Sequence, residues 1–217
     1  MIMETIQAIV QFFTNSVEAK NLGFNLTTAS ALLSISLSSY QMWGIIQQIK
    51  TIKRKKSAEL IIIPFFVFSF FYLLIAILYG LYTSKLSIAF NGLSAFFILG
   101  VLVAAWRYKK ISAIDYLSIL AFSLMIPLII IMPDKKLAYM GCASVVLIGI
   151  LWQLIVLIIH KKRGSLEPKL IDVYVVTNAS WLIYGILTRD WAFQASSAIG
   201  LSLLLPLSIL LRKYKDS

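Results

Sequence analysis

The chain has 217 residues, of which 60% are hydrophobic and 13% are charged, and its mean hydropathy is +0.88. A soluble domain of this length has too little interior for so much apolar surface, so the composition indicates one integral membrane domain. The net charge of +11 does not point to nucleic acid, because the basic residues lie at the ends of apolar stretches. The single cysteine, Cys142, excludes an internal disulfide, and no metal or cofactor is expected.

Residues 1–23 lack the pattern of a cleavable signal. They predict a short amphipathic helix on the membrane surface, because apolar residues recur at helical spacing. These residues are Ile2, Ile6, Ile9, Val10 and Phe13. Seven apolar stretches follow, each near the length of about 20 residues that a membrane-spanning helix needs. They cover residues 24–49, 60–82, 86–106, 113–133, 137–160, 170–188 and 192–211.

Basic residues are concentrated after every second stretch. After the first, third, fifth and seventh stretches lie Lys50, Lys53, Arg54, Lys55, Lys56, Arg107, Lys109, Lys110, Lys161, Lys162, Arg163, Lys169, Arg212, Lys213 and Lys215. The other connections and the N-terminal segment hold only Lys20, Lys85, Lys135, Lys136 and Arg189. Since cytoplasmic loops are enriched in Lys and Arg, this alternation predicts an N-terminus outside and a C-terminus in the cytoplasm. The cell membrane is the expected location.

The chain also matches itself at an offset of 105 residues. The aligned pairs are Gln48 with Gln153, Tyr79-Gly80 with Tyr184-Gly185, and Asn91 with Ser196. A three-residue gap would also align Ser57-Ala58-Glu59 with Ser165-Leu166-Glu167. Stretches one to three therefore match stretches five to seven, and the fourth stretch has no partner.

An odd number of helices per copy would invert a directly joined second copy, and the lone fourth helix restores its orientation. The expected fold is all-α, with seven transmembrane helices in two parallel three-helix repeats joined by an inverting fourth helix. The predicted units are residues 1–23, 24–106, 107–133, 134–211 and a cytoplasmic tail at 212–217. A site is expected between the repeats, near the middle of the membrane.

The second half carries, in this order, the motifs Trp181-Leu-Ile-Tyr184-Gly185, Arg189-Asp190 and Ser197-Ala-Ile-Gly200. These motifs and their order resemble the Trp-x-x-Tyr-Gly, Arg-Asp and Asn-x-x-Gly of the SWEET sugar-transporter family, which belongs to the PQ-loop superfamily. The first half matches at Lys56-Ser57-Ala58-Glu59, Pro64, Tyr79-Gly80 and Asn91, and the resemblance covers residues 25–211. The chain departs from the family at Ser197, at Ala76 in place of a Trp, and at Gln47-Gln48 and Trp152-Gln153 in place of Pro-Gln. It also lacks the family's prolines in the first helix of each repeat.

The resemblance implies a central pocket formed by Asn91, Trp181 and Ser197, with Ser196 and Asn178 on the same two facing helices. An amide can bind the hydroxyls of a sugar and an indole can stack on its C–H face, without burying a charge. In the alternative interpretation, the amides and hydroxyls only join helices, and Trp181 lies at the membrane interface.

Four residues are assigned to gating: Pro64, Pro168, Tyr79 and Tyr184. Each proline would weaken its helix if it removed a backbone hydrogen bond, and Pro64 is expected to lie deeper and to be the better hinge. In the alternative, both are first-turn prolines with little effect. A further polar stripe in the first stretch suits either a water-filled path or close helix packing. It comprises Thr27, Ser30, Ser34, Ser38 and Gln41.

No Asp, Glu, Lys or Arg lies in the middle of any stretch, so ion coupling is not expected. The favoured function is facilitative uniport of a mono- or disaccharide by alternating access. A same-fold transporter of an amino acid or a vitamin-like nucleoside, and a seven-helix receptor, stay open as alternatives. An enzyme is not expected, because no catalytic constellation is visible. The expected partners are the solute and membrane lipids, and a homo-oligomer is left open.

Overall fold

The structure, a computed structural model, describes residues 2–214, and the side chains of residues 2–6, 8 and 9 lie outside that description. The first helix, α1, covers Ile2–Asn15. Of its predicted apolar face, Ile2, Ile6 and Ile9 fall outside the described side chains, whereas Val10 and Phe13 are exposed. Every regular element in the described chain is a helix. The others are α2 Val17–Lys20, α3 Leu26–Lys55, α4 Ile63–Tyr82, α5 Leu86–Gly92, α6 Ser94–Trp106, α7 Ala113–Ser123, α8 Met125–Ile131, α9 Lys135–His160, α10 Pro168–Leu187 and α11 Trp191–Lys213.

Six helical segments in residues 2–214 are long and apolar enough to cross a membrane. They are Ile63–Tyr82, Leu86–Trp106, Ala113–Ile131, Lys135–His160, Pro168–Leu187 and Trp191–Lys213. Helix α3 has 30 residues but is not among them, because many of its side chains are polar. Its serines, glutamines and Thr51 include several buried residues, so this polar face is turned toward other helices. The prediction of seven apolar spans therefore holds for six of them.

Two of these spans are interrupted. Helix α5 gives way to α6 at Leu93, and α7 gives way to α8 at Leu124. Pro127 accounts for the second break, because a proline has no N–H to donate to the carbonyl of the preceding turn. By contrast, α11 continues through Pro206.

Helices in the second half repeat the bounds of those in the first. Helix α4 begins at Ile63 and ends at Tyr82, and helix α10 begins at Pro168 and ends at Leu187. Both the first and the last residues of the two helices are therefore 105 residues apart, the same separation as between Lys85 and Asp190. The offset continues without a gap through the loops before α4 and α10. The gapped alignment of residues 57–59 with 165–167 is therefore wrong.

The helices pack in the same pattern in each half. Helices α5 and α6 contact both α3 and α4, and α11 contacts both α9 and α10. Between the halves, α3 packs on α10 and α4 packs on α9. The segment Ala113–Ile131 packs on α4 and is mostly exposed. We call the end with residues 50–62, 107–112 and 161–167 the basic end, and the end with residues 16–25, 83–85 and 188–190 the opposite end.

Candidate functional site

A cavity of about 100 Å³ lies between the two halves, with walls from α3, α4, α5, α9, α10 and α11. Its polar lining residues are Gln41, Ser69, Tyr72, Asn91, Tyr174, Asn178, Trp181, Ser196 and Ser197. Among the described residues, no acidic or basic side chain lines it. The volume is several times the roughly 15 Å³ that one water needs, so the cavity can take a small solute. All five residues predicted for the pocket are brought together here.

Trp181 is buried rather than interfacial, with 4% of its surface exposed. Its ring lies 5.3 Å from that of Phe193 and 5.5 Å from that of Tyr184. The indole Nε1 is buried and has no hydrogen-bond partner in the described structure. An unpaired buried N–H is costly, so Trp181 brings an unsatisfied donor to the wall of the cavity.

Asn91 lies near the end of α5, just before the helix break at Leu93. Its Oδ1 accepts a hydrogen bond of 3.1 Å from Ser38, whereas its Nδ2 donates to no other residue in the range 2–214. On α10, the Asn178 Nδ2 donates to the carbonyl of Tyr174 at 2.9 Å, four residues earlier. In the two amides of the cavity, the Asn91 Oδ1 and the Asn178 Nδ2 are thus hydrogen-bonded to the described part of the protein, whereas the Asn91 Nδ2 is not.

Three polar lining residues were missed by sequence reasoning: Ser69, Tyr72 and Tyr174. One signal could have found Tyr174. It precedes Asn178 by four residues and Trp181 by seven, which places all three on one face of α10. Ser69 occupies the equivalent position of Tyr174 in the first half, so the repeat would then have found it as well.

The polar stripe of α3 divides into two parts. Ser34 shares a hydrogen bond of 2.9 Å with Ser180 of α10, and Ser38 donates to the Asn91 Oδ1 of α5 at 3.1 Å. These hydroxyls join helices, as the packing interpretation predicts. Only Gln41 of the stripe lines the cavity.

Stacked aromatic rings separate the cavity from the opposite end. The ring of Tyr139 lies 4.5 Å from that of Tyr79 and 4.9 Å from that of Phe193, which itself lines the cavity. The Tyr79 hydroxyl donates to Asp190 at 2.9 Å, and Lys85 forms an ion pair with the same carboxylate. The cavity is therefore closed at this end by contacts between the halves.

Glu18 of α2 also reaches into this end, which corrects the expectation that all of residues 1–23 lie on the surface. Its carboxylate accepts hydrogen bonds from the Ser87 hydroxyl at 2.5 Å, the Leu86 N–H at 2.9 Å and the Tyr184 hydroxyl at 2.8 Å. Burial raises the pKa of Glu18, but the hydrogen bonds from Ser87 and Leu86 outweigh it, so the net pKa is lowered. Glu18 therefore stays ionised and anchors α2 to the bundle.

At the basic end, each half holds the other through one buried glutamine. The Gln48 Nε2 donates to the carbonyl of Ser165 at 2.8 Å, and the equivalent Gln153 donates to that of Leu60 at 3.4 Å. Ser165 and Leu60 are themselves equivalent at the 105-residue offset. The exposed ion pair of Glu59 with Lys162 connects the same two loops, and the hydrogen bond and charge of Lys162 lower the pKa of Glu59.

Both candidate hinge prolines lie in the first turn of their helices, Pro64 in α4 and Pro168 in α10. The first N–H groups of a helix have no intrahelical acceptor, so neither proline removes a helical hydrogen bond. Pro64 lies only one residue further into its helix than Pro168 does, so its position does not make it the better hinge. The predicted gating tyrosines, Tyr79 and Tyr184, are fully buried at the opposite end.

The fold is thus a helical bundle around a central cavity that no charged side chain of the described residues lines. It is similar to a solved structure described as the 3.7 Å structure of a eukaryotic SWEET transporter. The TM-score is 0.58 and the sequence identity 22%, and the match covers 87% of this chain and 96% of that chain. No family model and no curated protein matches the sequence. The similarity establishes a SWEET-like fold, whereas the chemistry of the site depends on the residues of this chain.

Proposed function

We propose that the protein is a facilitative transporter that carries a small neutral polyhydroxy solute, a mono- or disaccharide, across a membrane. The observation that carries the proposal is the cavity between the halves, whose described lining is polar but uncharged and includes Trp181, the indole Nε1 of which has no hydrogen-bond partner. Asn91, Asn178, Ser196 and Ser197 are the other binding residues.

The lining of the cavity suits a neutral solute. Amides and hydroxyls can both donate and accept hydrogen bonds, and the indole of Trp181 offers an apolar face. A charged solute such as an amino acid would need a counter-charge, and the lining in the described structure supplies none. The chemistry therefore favours a sugar over the amino-acid alternative, and a nucleoside is the competing neutral solute.

Alternating access follows from a two-repeat architecture, in which residues 24–106 and 134–211 move against each other and residues 107–133 link them. The matching helix bounds and the paired glutamine contacts support this division. Contacts between the halves lie toward both ends of the cavity, at Tyr79 and Asp190 and at the two glutamines. Opening either end requires those contacts to separate, and Tyr79 and Tyr184 belong to the gate at the opposite end.

With α3 as the first of seven spans, the basic end faces the cytoplasm and the opposite end faces outward, because Lys and Arg are enriched in cytoplasmic loops. A seven-helix receptor fits less well, because its function would not require that the contacts between helices occur twice, once in each half. The paired contacts of Gln48 and Gln153 are such a repeated feature.

The test is uptake of labelled glucose and sucrose by liposomes that contain the purified full chain, with no ion gradient. Wild type should give saturable uptake that stops at equal concentrations, and Trp181→Ala and Asn91→Ala should abolish it. Trp191→Ala is the matched control, because Trp191 is 46% exposed and does not line the cavity. If folded wild type moves neither sugar but moves a nucleoside, the sugar assignment fails. If it moves no solute, the transporter assignment fails.

A further inference from the structure

A second, polar cleft of about 610 Å³ opens at the basic end, between α3 and the start of α10. It shares no lining residue with the central cavity. Four basic residues line it, together with one carboxylate, and these five are Lys50, Arg54, Arg163, Lys169 and Glu167.

The side chains that line the cleft carry a net positive charge. Glu167 is already engaged, since its carboxylate accepts a hydrogen bond of 2.6 Å from Thr51 across the interface of the halves. The cleft also contains Pro168, the first residue of the 20-residue helix α10, whose N-terminal dipole adds positive potential. Like charges gathered in one cleft repel one another, so an anion bound among them would be stabilised.

The repeat supplies an internal comparison for this cleft. At the 105-residue offset, Gln47, Lys50, Arg54, Glu167 and Lys169 correspond to Trp152, Ile155 and Ile159 of α9 and to Ile62 and Pro64 at the start of α4. The equivalent helix pair therefore has apolar residues at these five positions, and the fold does not require basic side chains there.

We propose that this basic cleft binds a phosphate-bearing anion, either the headgroup of an anionic phospholipid or a soluble organic phosphate. Arginine matches a phosphate through parallel N–H donors, and lysine adds a mobile point charge. Lys50 and Arg54 belong to the first half of the chain, whereas Arg163 and Lys169 belong to the second. A bound anion thus links the halves at the basic end and stabilises its closed arrangement. The binding itself does not depend on what the central cavity carries.

The experiment uses the full chain and two probes. Inositol trisphosphate is titrated calorimetrically into detergent-solubilised protein, and binding of phosphatidylinositol bisphosphate is measured by native mass spectrometry of protein released from phosphatidylcholine nanodiscs. The test variant is the double substitution Lys50→Gln/Arg54→Gln. The matched control, Lys53→Gln/Arg107→Gln, removes the same charge from exposed residues outside the cleft at the same end.

The double substitution in the cleft should weaken binding about tenfold or more, the equivalent of about 1.4 kcal/mol or more. The control pair should bind like wild type, and both variants should keep the wild-type melting temperature without ligand. If inositol trisphosphate binds in detergent, a soluble organic phosphate is enough to occupy the cleft. If only the lipid binds, the ligand is the headgroup of a membrane phospholipid. Binding of neither probe, or equal losses in both variants, would overturn the proposal. Since no transport is measured, this result is independent of the uptake test.

Discussion

Lys85 and Asp190 form a buried ion pair although they occupy equivalent positions in the two halves, 105 residues apart. Each follows a residue in the left-handed conformation, Ser84 with φ 53° and Arg189 with φ 52°. The N–H of each donates to the carbonyl of the glycine five residues earlier, at 2.8 Å in both halves. The two equivalent turns therefore meet directly, and this pair holds them together.

Replacing Lys85 by Met should destabilise the closed opposite end. The substitution keeps an aliphatic chain but leaves the Asp190 carboxylate, whose side chain is 0% exposed, without its counter-charge. Breaking one partner of a buried pair typically costs about 3–5 kcal/mol. The measurement is thermal unfolding of the detergent-solubilised protein.

Two variants serve as controls for this loss. The double substitution Lys85→Met/Asp190→Asn should recover part of the stability, because it removes both buried charges. Lys162→Met breaks the exposed pair with Glu59 and should change the melting temperature little. If Lys162→Met is as harmful as Lys85→Met, burial is not what gives the Lys85 pair its importance.

Protonation of Glu18 should release α2 from the bundle. The hydrogen bonds of the docked carboxylate lower its pKa from the ordinary value of 4.5, even though burial acts in the other direction. The docked state therefore binds fewer protons than the free segment. Its stabilisation is present above pH 4.5 and is lost as the pH falls through the lowered pKa.

A spin label at Lys20→Cys, in a Cys142→Ala background, reports this release. The label should be restrained at neutral pH and mobile at pH values well below 4.5. With Glu18→Gln added, it should be mobile at both, because the amide loses the charge-assisted bonds to Ser87 and Leu86. A label that stays restrained in Glu18→Gln would show that other contacts hold α2.

Gly80→Ala should destabilise the first half by overpacking. A Cβ at this position would lie 2.5 Å from the backbone nitrogen of Ala89, so α4 and α5 would have to separate. Overpacking typically costs about 1–3 kcal/mol. The matched control is Gly141→Ala, where the added Cβ meets nothing within 4 Å and helix propensity favours alanine by about 1 kcal/mol. Opposite shifts in melting temperature are expected, and equal shifts would contradict this explanation.

Much of the fold was predictable because it depends on periodic properties of the sequence. Apolar stretches gave the helix positions to within a few residues, apart from the C-terminal end of α3, and the 105-residue offset gave the matching of helices. The exception is α3, which is not apolar. Its polar side faces α10, so its place in the bundle depends on a partner almost 150 residues away, as in the bond between Ser34 and Ser180.

The sequence predicted the motif residues of the candidate site but not the other residues that line or adjoin it. Asn91 and Trp181 stand out as polar or aromatic residues at motif positions, whereas Tyr174 is one more aromatic residue in an apolar helix. Glu18 could not be assigned from the sequence, because it lies in a short polar segment. Its role depends on where the chain folds back onto the start of α5.

Tyr174→Phe should weaken solute binding without affecting the fold. Tyr174 lines the cavity, and its hydroxyl makes no hydrogen bond to the described residues. Tyr72→Phe is the contrasting variant, because the Tyr72 hydroxyl is bonded to Tyr139. We expect Tyr174→Phe to raise KM for uptake about tenfold at an unchanged melting temperature, the equivalent of one lost hydrogen bond of about 1.4 kcal/mol. Tyr72→Phe should instead lower the melting temperature, and the reverse pattern would remove Tyr174 from the site.

Gln48→Leu should open the basic end more than the same change at its counterpart, Gln153. Gln48 makes two hydrogen bonds of 2.8 Å, to the carbonyl of Ser165 and from the N–H of Glu167. Gln153 makes one of 3.4 Å, and its Oε1 is buried without a partner in the described structure. Removing Gln48 therefore leaves two backbone groups unsatisfied, at about 1–3 kcal/mol each, whereas leucine at position 153 removes an oxygen that was already unpaired.

Accessibility of the central cavity measures this difference. Ile150 lines the cavity and is only 6% exposed, so Ile150→Cys in a Cys142→Ala background should react slowly with a membrane-impermeant thiol reagent. Adding Gln48→Leu should speed labelling from the membrane face at the basic end by more than tenfold, since about 1.4 kcal/mol is a factor of ten and two hydrogen bonds are lost. Gln153→Leu should leave the rate nearly unchanged. Equal rates in the two variants would mean that other contacts between α3 and α10, rather than the glutamine, keep this end closed.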